Sequence, residues 1–201
     1  MIFNRFMFVW ATLNKTIRVG LFALLCLFSI SSTVNAHALP GSVITLSEQQ
    51  YGALKVEISF PLEDLIIAAP ELEVLAKVDV EQKIPPKLLK QLSQYLQAHM
   101  FMLSGTEKLK LLPQQAEIDV VYNQHLGHFR SLAVELLAEK VPQEPPFSLS
   151  LSYDVIMHEI RNHRAEVYWK KGNKTIKLSN FGFKKVEGKP VIHHFTNDLN
   201  R

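Results

Sequence analysis

Histidine is the residue type whose number and spacing in this chain first suggest chemistry. The sequence has 201 residues and eight histidines, and imidazole is the commonest side-chain metal ligand in proteins. All eight lie after residue 36: His37, His99, His125, His128, His158, His163, His193 and His194. Three groups of them could bind a metal, and each group requires a different local structure.

The first group depends on His37 becoming the first residue of a processed chain. An N-terminal histidine chelates through its α-amine and its ring, and one further histidine would complete a square-planar or T-shaped site suited to Cu(II) or Ni(II). Such a site requires cleavage after Ala36, because cleavage after Ala38 would remove His37. A soluble copper or nickel binder is therefore one function that the sequence allows.

The second group is His125 and His128, which lie at a predicted turn between two strands. A turn can bring residues i and i+3 together, but two ligands alone make a weak site. The third group lies in "MHEIRNHRAEVYW", which contains His158 and His163. It differs from the zinc-protease pattern H-E-x-x-H because the second histidine comes one position late, and residues i and i+5 lie on different faces of a helix. The candidate metal ligands are thus His37, His125, His128 and His163.

Patterns for other kinds of catalysis are absent from the sequence. The serines of "LSGT" and "SLSLS" lack the Gly-x-Ser-x-Gly context of a nucleophile elbow. There is no phosphate-binding loop and no glycine-rich dinucleotide motif. The paired carboxylates Glu63 and Asp64 are expected to flank a solvated bend. We therefore predict that the protein is not an enzyme.

The first 36 residues have the pattern of a secretory signal peptide. Arg5, Lys15 and Arg18 precede an apolar run of eleven residues (20–30), and small residues follow. Such a run is too short for a spanning helix, which needs roughly 20 residues. The prediction is a cleaved leader over 1–36, with a second possible cut after residue 38, and a single exported, periplasmic domain over 37–201. An uncleaved leader would tether that domain to the membrane.

Composition restricts the chemistry of the exported part. The only cysteine, Cys26, lies in the leader, so residues 37–201 can form neither a disulfide nor a zinc–thiolate site. All 19 acidic residues lie after the leader, where the 22 Lys and Arg less the three of the leader leave 19 basic ones. A domain so close to neutral lacks the concentrated basic face that nucleic-acid binding needs. We predict no nucleic-acid partner.

Alternation of apolar and polar residues predicts a mainly β fold. The predicted strands are 41–48, 53–60, 108–123, 128–139, 147–157, 165–171 and 175–183, with Gly172-Asn173 as a hairpin turn. One helix is predicted over 87–101, since Leu89, Leu92, Leu96 and Met100 form one apolar stripe after Pro85 and Pro86. The chain after Gly188 is expected to be loosely held. This pattern indicates an immunoglobulin-like β-sandwich with one inserted α-helix.

The order of these elements resembles a known family. The start "AHALPGSVITLSEQQYGALKVEISFPLEDL" is similar to the extracytoplasmic N-terminal domain of the HupE/UreJ-like membrane proteins. The passage "LSYDVIMHEIRNHRAEVYW" is similar to that family's strand, "Y-D", loop, "H-R" and strand succession, in which His163 and Arg164 match the "H-R" pair. The likeness covers about residues 36–183.

The resemblance implies a membrane-protein partner but also marks two departures from the family. The family's multi-helix membrane half, which is linked to metal uptake (nickel or cobalt, with copper as a further candidate), is missing from this chain. The family's calcium-like loop is reduced to Asp79 and Glu81, whereas calcium needs six or more oxygen ligands, so no calcium site is expected. The predicted function is a non-catalytic accessory or binding domain, and its oligomeric state stays open.

The predicted leader makes a direct prediction about the exported protein. We expect the chain recovered from the periplasm to begin at His37 or at Leu39, because small residues precede both cuts. Intact-mass spectrometry together with N-terminal sequencing measures this. A chain that begins at Met1 would instead support the tethered form, and a start at Leu39 would exclude the N-terminal chelate.

Overall fold

A computed structural model describes residues 40–138 and 148–196 and shows a mainly β protein. The predicted leader, the proposed cleavage sites and His37 lie outside the described residues. Twelve strands are present in the described part. In chain order they are β1 (Ser42–Glu48), β2 (Leu54–Pro61), β3 (Met100–Ser104), β4 (Glu107–Lys108), β5 (Leu111–Asn123), β6 (Gly127–Ala138), β7 (Ser148–Tyr153), β8 (Arg164–Lys171), β9 (Lys174–Gly182), β10 (Lys185–Val186), β11 (Lys189–Pro190) and β12 (Ile192–Thr196).

The strands form two main sheets. The larger has six strands in the order β5-β6-β2-β1-β8-β9, and the smaller has four in the order β12-β7-β3-β4. All pairs in the larger sheet are antiparallel except β1 with β8, which run parallel. A separate two-stranded hairpin joins β10 and β11. The long connection of more than 100 residues between β1 and β8 is what a parallel pair permits, because parallel neighbours cannot be joined by a tight turn.

Helices fill the connection between β2 and β3. These are α1 (Leu62–Ala68), a 3-10 helix over Pro70–Lys77 and α2 (Pro86–His99), and a short 3-10 turn, Gln50–Gly52, links β1 to β2. Pro86 stands in the first turn of α2, where its missing N–H costs no hydrogen bond. The helix ends where Met100 adopts extended backbone and opens β3.

One hydrophobic core joins both sheets and the helices. It draws Ile44 from β1, Leu92 from α2 and Leu151 from β7, all fully buried. Alternate residues of the strands supply most of the rest, as the period-two pattern requires. Within the described ranges, no helix is long and apolar enough to cross a membrane.

The structure confirms most of the element predictions and corrects four. The seven predicted strands and the helix are present, but the helix stops at His99, and the predicted strand 147–157 ends at Tyr153. Strand β3 was missed because its residues continue the apolar stripe of the helix. The expectation of a loose tail was wrong for β12, whose Ile192–Thr196 pairs antiparallel with β7.

The apolar stripe of α2 generates a stability prediction. Leu92 is fully buried and Lys90 is exposed on the same helix. Leu92→Ala should lower the free energy of unfolding by about 2–5 kcal/mol, because the substitution removes buried surface and leaves a cavity. Lys90→Ala is the matched control and should change it by less than about 0.5 kcal/mol. Urea denaturation followed by circular dichroism measures both, and equal effects would contradict the burial of this stripe.

Candidate functional site

The connection between β7 and β8 contributes to two clusters of polar side chains. Near its start, Val155, Ile156 and Met157 are completely buried, so this part of the connection runs through the core rather than over the surface. Ile156 has a φ of 66°, and its backbone N–H donates to the Tyr95 hydroxyl over 2.9 Å. A β-branched residue in the left-handed region is strained, and tight packing is what holds such a conformation. Packing and this hydrogen bond therefore hold the backbone of this connection in one conformation.

Three polar side chains far apart in sequence meet at the end of this connection. Nε2 of His163 lies 2.9 Å from the Ser42 hydroxyl of β1, and Nδ1 of His163 lies 3.0 Å from a carboxylate oxygen of Asp64 in α1. The His163 side chain is 1% exposed and that of Asp64 14% exposed. Asp64 thus contacts a buried imidazole, and the expectation of a solvated bend was wrong for this residue.

A fourth group sets the direction of the hydrogen bonds. The Tyr153 hydroxyl donates to the Ser42 oxygen over 2.7 Å, which leaves the Ser42 proton free to donate to Nε2 of His163. A proton on Nδ1 can then be donated to the Asp64 carboxylate. In this arrangement all four groups are satisfied with His163 as the neutral Nδ1–H tautomer. Burial raises the pKa of Tyr153 above its ordinary range, so this phenol stays a donor.

The order serine, histidine and aspartate is that of the nucleophile, base and orienting acid of many hydrolases. Ser42, however, is completely buried within β1, and its oxygen already accepts the Tyr153 proton. A substrate carbonyl therefore has no path to the hydroxyl in this structure. The geometry supports a structural role, and we call Ser42, Asp64, Tyr153 and His163 the polar clamp.

The polar clamp lies where β1 meets β8 in parallel. Ser42 is in register with Ala165, and a Cβ atom on the preceding Gly41 would lie only 2.1 Å from the carbonyl oxygen of Arg164. Only glycine allows the two backbones to approach so closely. Gly41 therefore allows the two backbones to approach closely at Arg164. The hydrogen bond between Ser42 and His163 then joins β1 to the residue that precedes β8.

Three of the four predicted metal ligands, His125, His128 and His163, lie within the described residues. His125 lies at the turn between β5 and β6, with Nε2 3.0 Å from the amide nitrogen of Gln124, while the His128 ring lies against that of Tyr122, with the centroids 5.2 Å apart. Both ring nitrogens of His163 are engaged in the polar clamp, so neither is open to a metal in this arrangement. Over residues 40–138 and 148–196, no three His, Cys, Asp or Glu side chains form a group that could hold an ion.

The sequence pattern did not indicate a second histidine cluster. His99 at the end of α2 and His158 in the β7–β8 connection stack with their ring centroids 3.9 Å apart, and both bond to Asp154. The two histidines are 59 positions apart, so no local spacing could reveal them. The "Y-D" pair was the one sequence signal that could have indicated these clusters. Tyr153 belongs to the polar clamp, and Asp154 bonds to His99 and His158.

The free edge of the larger sheet is the third notable feature. Strand β5 is the last strand of that sheet, and the chain at 81–84 covers its outer edge only between Ala116 and Ile118. The end of β5 beyond that cover carries three exposed hydrophobic side chains in succession: Val120 (51%), Val121 (40%) and Tyr122 (66%).

Comparison with known proteins adds no assignment: no protein-family model matches the chain, and no curated protein matches it. The resemblance to the HupE/UreJ-like domains therefore stays a prediction from short motifs. The function is therefore inferred from the geometry of the described residues.

If the polar clamp is structural, removing the Ser42 hydroxyl should destabilise the folded protein. Ser42→Ala should lower the free energy of unfolding by about 1–3 kcal/mol, since it leaves buried partners on Tyr153 and His163 unsatisfied. Ser47→Ala on the same strand is the control, because the buried Ser47 hydroxyl accepts its hydrogen bond from the exposed Gln49 side chain, which can bond to water instead. Chemical denaturation measures both variants. Labelling of Ser42 in the folded protein by a fluorophosphonate would contradict the structural role.

Proposed function

We propose that this protein is a non-catalytic, periplasmic accessory domain of immunoglobulin-like sandwich form that binds an integral membrane protein through the free edge of β5. The observation that carries the proposal is the run of three exposed hydrophobic side chains, Val120, Val121 and Tyr122, on an edge strand. Exposed apolar surface on a sheet edge is characteristic of an interaction site.

The rest of β5 is protected in the ways that folded proteins use to prevent unwanted strand pairing. Pro113 and a register shift between Pro113 and Gln115 interrupt the start of the strand. Its middle is covered, because the Glu81 N–H donates to the Ile118 oxygen and the Ile84 N–H to the Ala116 oxygen. The backbone hydrogen bonds between this covering segment and β5 end at Ile118. The part that is left open is also the part that carries the hydrophobic side chains.

An extended segment of a partner is the occupant that fits this edge. Residues 119–123 lie beyond the cover that the chain at 81–84 provides. Their backbone groups on the outer side can therefore accept a new strand, and alternate side chains of that strand would contact Val120, Val121 and Tyr122. Residues 120–123 carry no charged side chain, so the charges that usually discourage such pairing are missing from this end of the strand.

Two further observations support a binding role over an enzymatic one. The serine, histidine and aspartate of the polar clamp satisfy one another's hydrogen bonds away from solvent. Their arrangement is explained by the pairing of β1 with β8, so it does not require a catalytic role. The resemblance to the extracytoplasmic domains of HupE/UreJ-like proteins supports a partner of the metal-uptake class (nickel, cobalt or copper), encoded as a separate chain.

Site-specific crosslinking tests the docking edge. A photoreactive amino acid at Val121 should crosslink in intact cells to an integral membrane protein, and the same residue at Ile67 should not. Ile67 is the matched control because it is an exposed β-branched residue (64%) that belongs to α1 and not to β5. Val121→Lys should abolish co-purification of that membrane protein from detergent extracts, because it places a charge in an apolar interface.

The control variant Ile67→Lys should co-purify the membrane protein as well as the wild type does. Recovery that is equal for Val121→Lys and the wild type would overturn the assignment of the edge. Recovery of a soluble protein alone, crosslinked at Val121, would overturn the membrane partner while leaving the edge as the binding surface. Both variants should keep the wild-type denaturation midpoint, since both side chains are exposed.

A further inference from the structure

A cleft where α2 meets both sheets shares no residue with the polar clamp or with the exposed end of β5. Its walls come from the second half of α2, from β3, from the segment between β4 and β5, and from β6. Six apolar side chains line it: Leu96, Met100, Phe101, Leu109, Leu111 and Leu136. Its volume of about 450 Å³ is that of a small-molecule site, for which roughly 300–1,000 Å³ is usual. We call it the α2 cleft.

The α2 cleft reaches from the surface to the hydrophobic core. Leu96, Leu109 and Leu136 belong to that core and are almost completely buried. They lie on three different elements, namely α2, the β4–β5 segment and β6. Helices and strands of a packed core hold their side chains in place, so the apolar wall is formed before any ligand arrives.

The polar side chains on the helix side of the α2 cleft satisfy each other. Nε2 of Gln97 donates to the Ser93 hydroxyl over 3.2 Å, one turn earlier on α2. This pair therefore adds no charge to the cleft and needs no polar ligand. The polar groups left to orient a ligand are on the opposite wall.

Two lysines stand on that wall. Lys108 and Lys110 both line the α2 cleft and are both exposed, and they lie on the same side of an extended segment because Leu109 between them points inward. Nζ of Lys108 lies 5.2 Å from the centroid of the Phe101 ring, which places its ammonium group over an apolar wall. Glu107 precedes Lys108 in β4, so alternation directs it to the other side.

The positive charge of these lysines is uncompensated in the described part of the chain. None of the described residues that line the α2 cleft is acidic. The ion pairs of residues 40–138 and 148–196 involve Lys55, Lys177 and two histidines, and include neither Lys108 nor Lys110. An apolar cleft beside two unpaired ammonium groups is complementary to a molecule with an apolar body and one anionic end.

We propose that the α2 cleft binds a free fatty acid, with the acyl chain along the leucine and methionine side chains and the carboxylate at Lys108 and Lys110. An alkyl chain requires no hydrogen bond, which agrees with a wall of six apolar side chains. A carboxylate accepts charge-assisted hydrogen bonds from both ammonium groups. This binding activity is independent of the proposed docking at β5.

Calorimetric titration of the purified, delipidated exported protein tests the acyl part of the site. Octanoate, decanoate and dodecanoate are used, each below its micelle concentration. We expect one equivalent of each, with the affinity rising by up to about four-fold for every added methylene group, because each methylene leaves water for an apolar wall. An affinity that does not change with chain length would overturn the proposal.

Charge removal tests the carboxylate end. The double variant Lys108→Gln with Lys110→Gln should weaken decanoate binding about ten-fold or more, since it removes both charged partners. The same variant should bind decan-1-ol, which has no charge, as the wild type does. Lys90→Gln is the matched control, because Lys90 is an exposed lysine of α2 that does not line the cleft. Equal decanoate affinity of the double variant and the wild type would overturn the proposal.

A bulky side chain at the rim tests the position of the site. Gln97→Trp should abolish the binding of decanoate and of decan-1-ol, because the indole ring would occupy the α2 cleft. Gln94→Trp is the matched control: Gln94 is also an exposed glutamine of α2, but it does not line the cleft. Both variants should stay folded by circular dichroism, since both glutamines are exposed. Undiminished decanoate binding by folded Gln97→Trp would overturn the assignment to this cleft.

Discussion

The parallel contact between β1 and β8 is the constraint on which the rest of the structure depends. These two strands are neighbouring interior strands of the six-stranded sheet, and the connection of more than 100 residues between them includes both helices and three of the four strands of the smaller sheet. Closing so long a loop has an entropic cost, and parallel pairing alone compensates for little of it. The polar clamp adds directional bonds at this junction, between Ser42 of β1 and His163 just before β8. Tyr153 and Asp64 extend those bonds to the smaller sheet and to α1.

The β7–β8 connection couples this junction to the surface. Tyr153 at its start belongs to the polar clamp, and the next residue, Asp154, accepts hydrogen bonds from both His99 and His158. The backbone N–H of Asp154 also donates to the oxygen of His99, so the end of α2 and the connection are held together. One buried segment thus supports both the polar clamp and the stacked histidines.

Much of the fold was predictable from sequence, and almost none of the candidate sites. Alternation predicted the strands that carry Ile44, Val56 and Leu151, and the apolar stripe predicted the helix that carries Leu92, because periodicity is a local property of a strand or a helix. Strand β3 was hidden, since apolar residues after a helix fit either structure. Asp64 looked like a surface carboxylate, and His163 like a loop histidine. Their meeting with Ser42 depends on which strands become neighbours, and that choice is made by the packing of the whole chain. The pairing of His99 with His158 was decided in the same way, by tertiary contacts that no spacing in the sequence records.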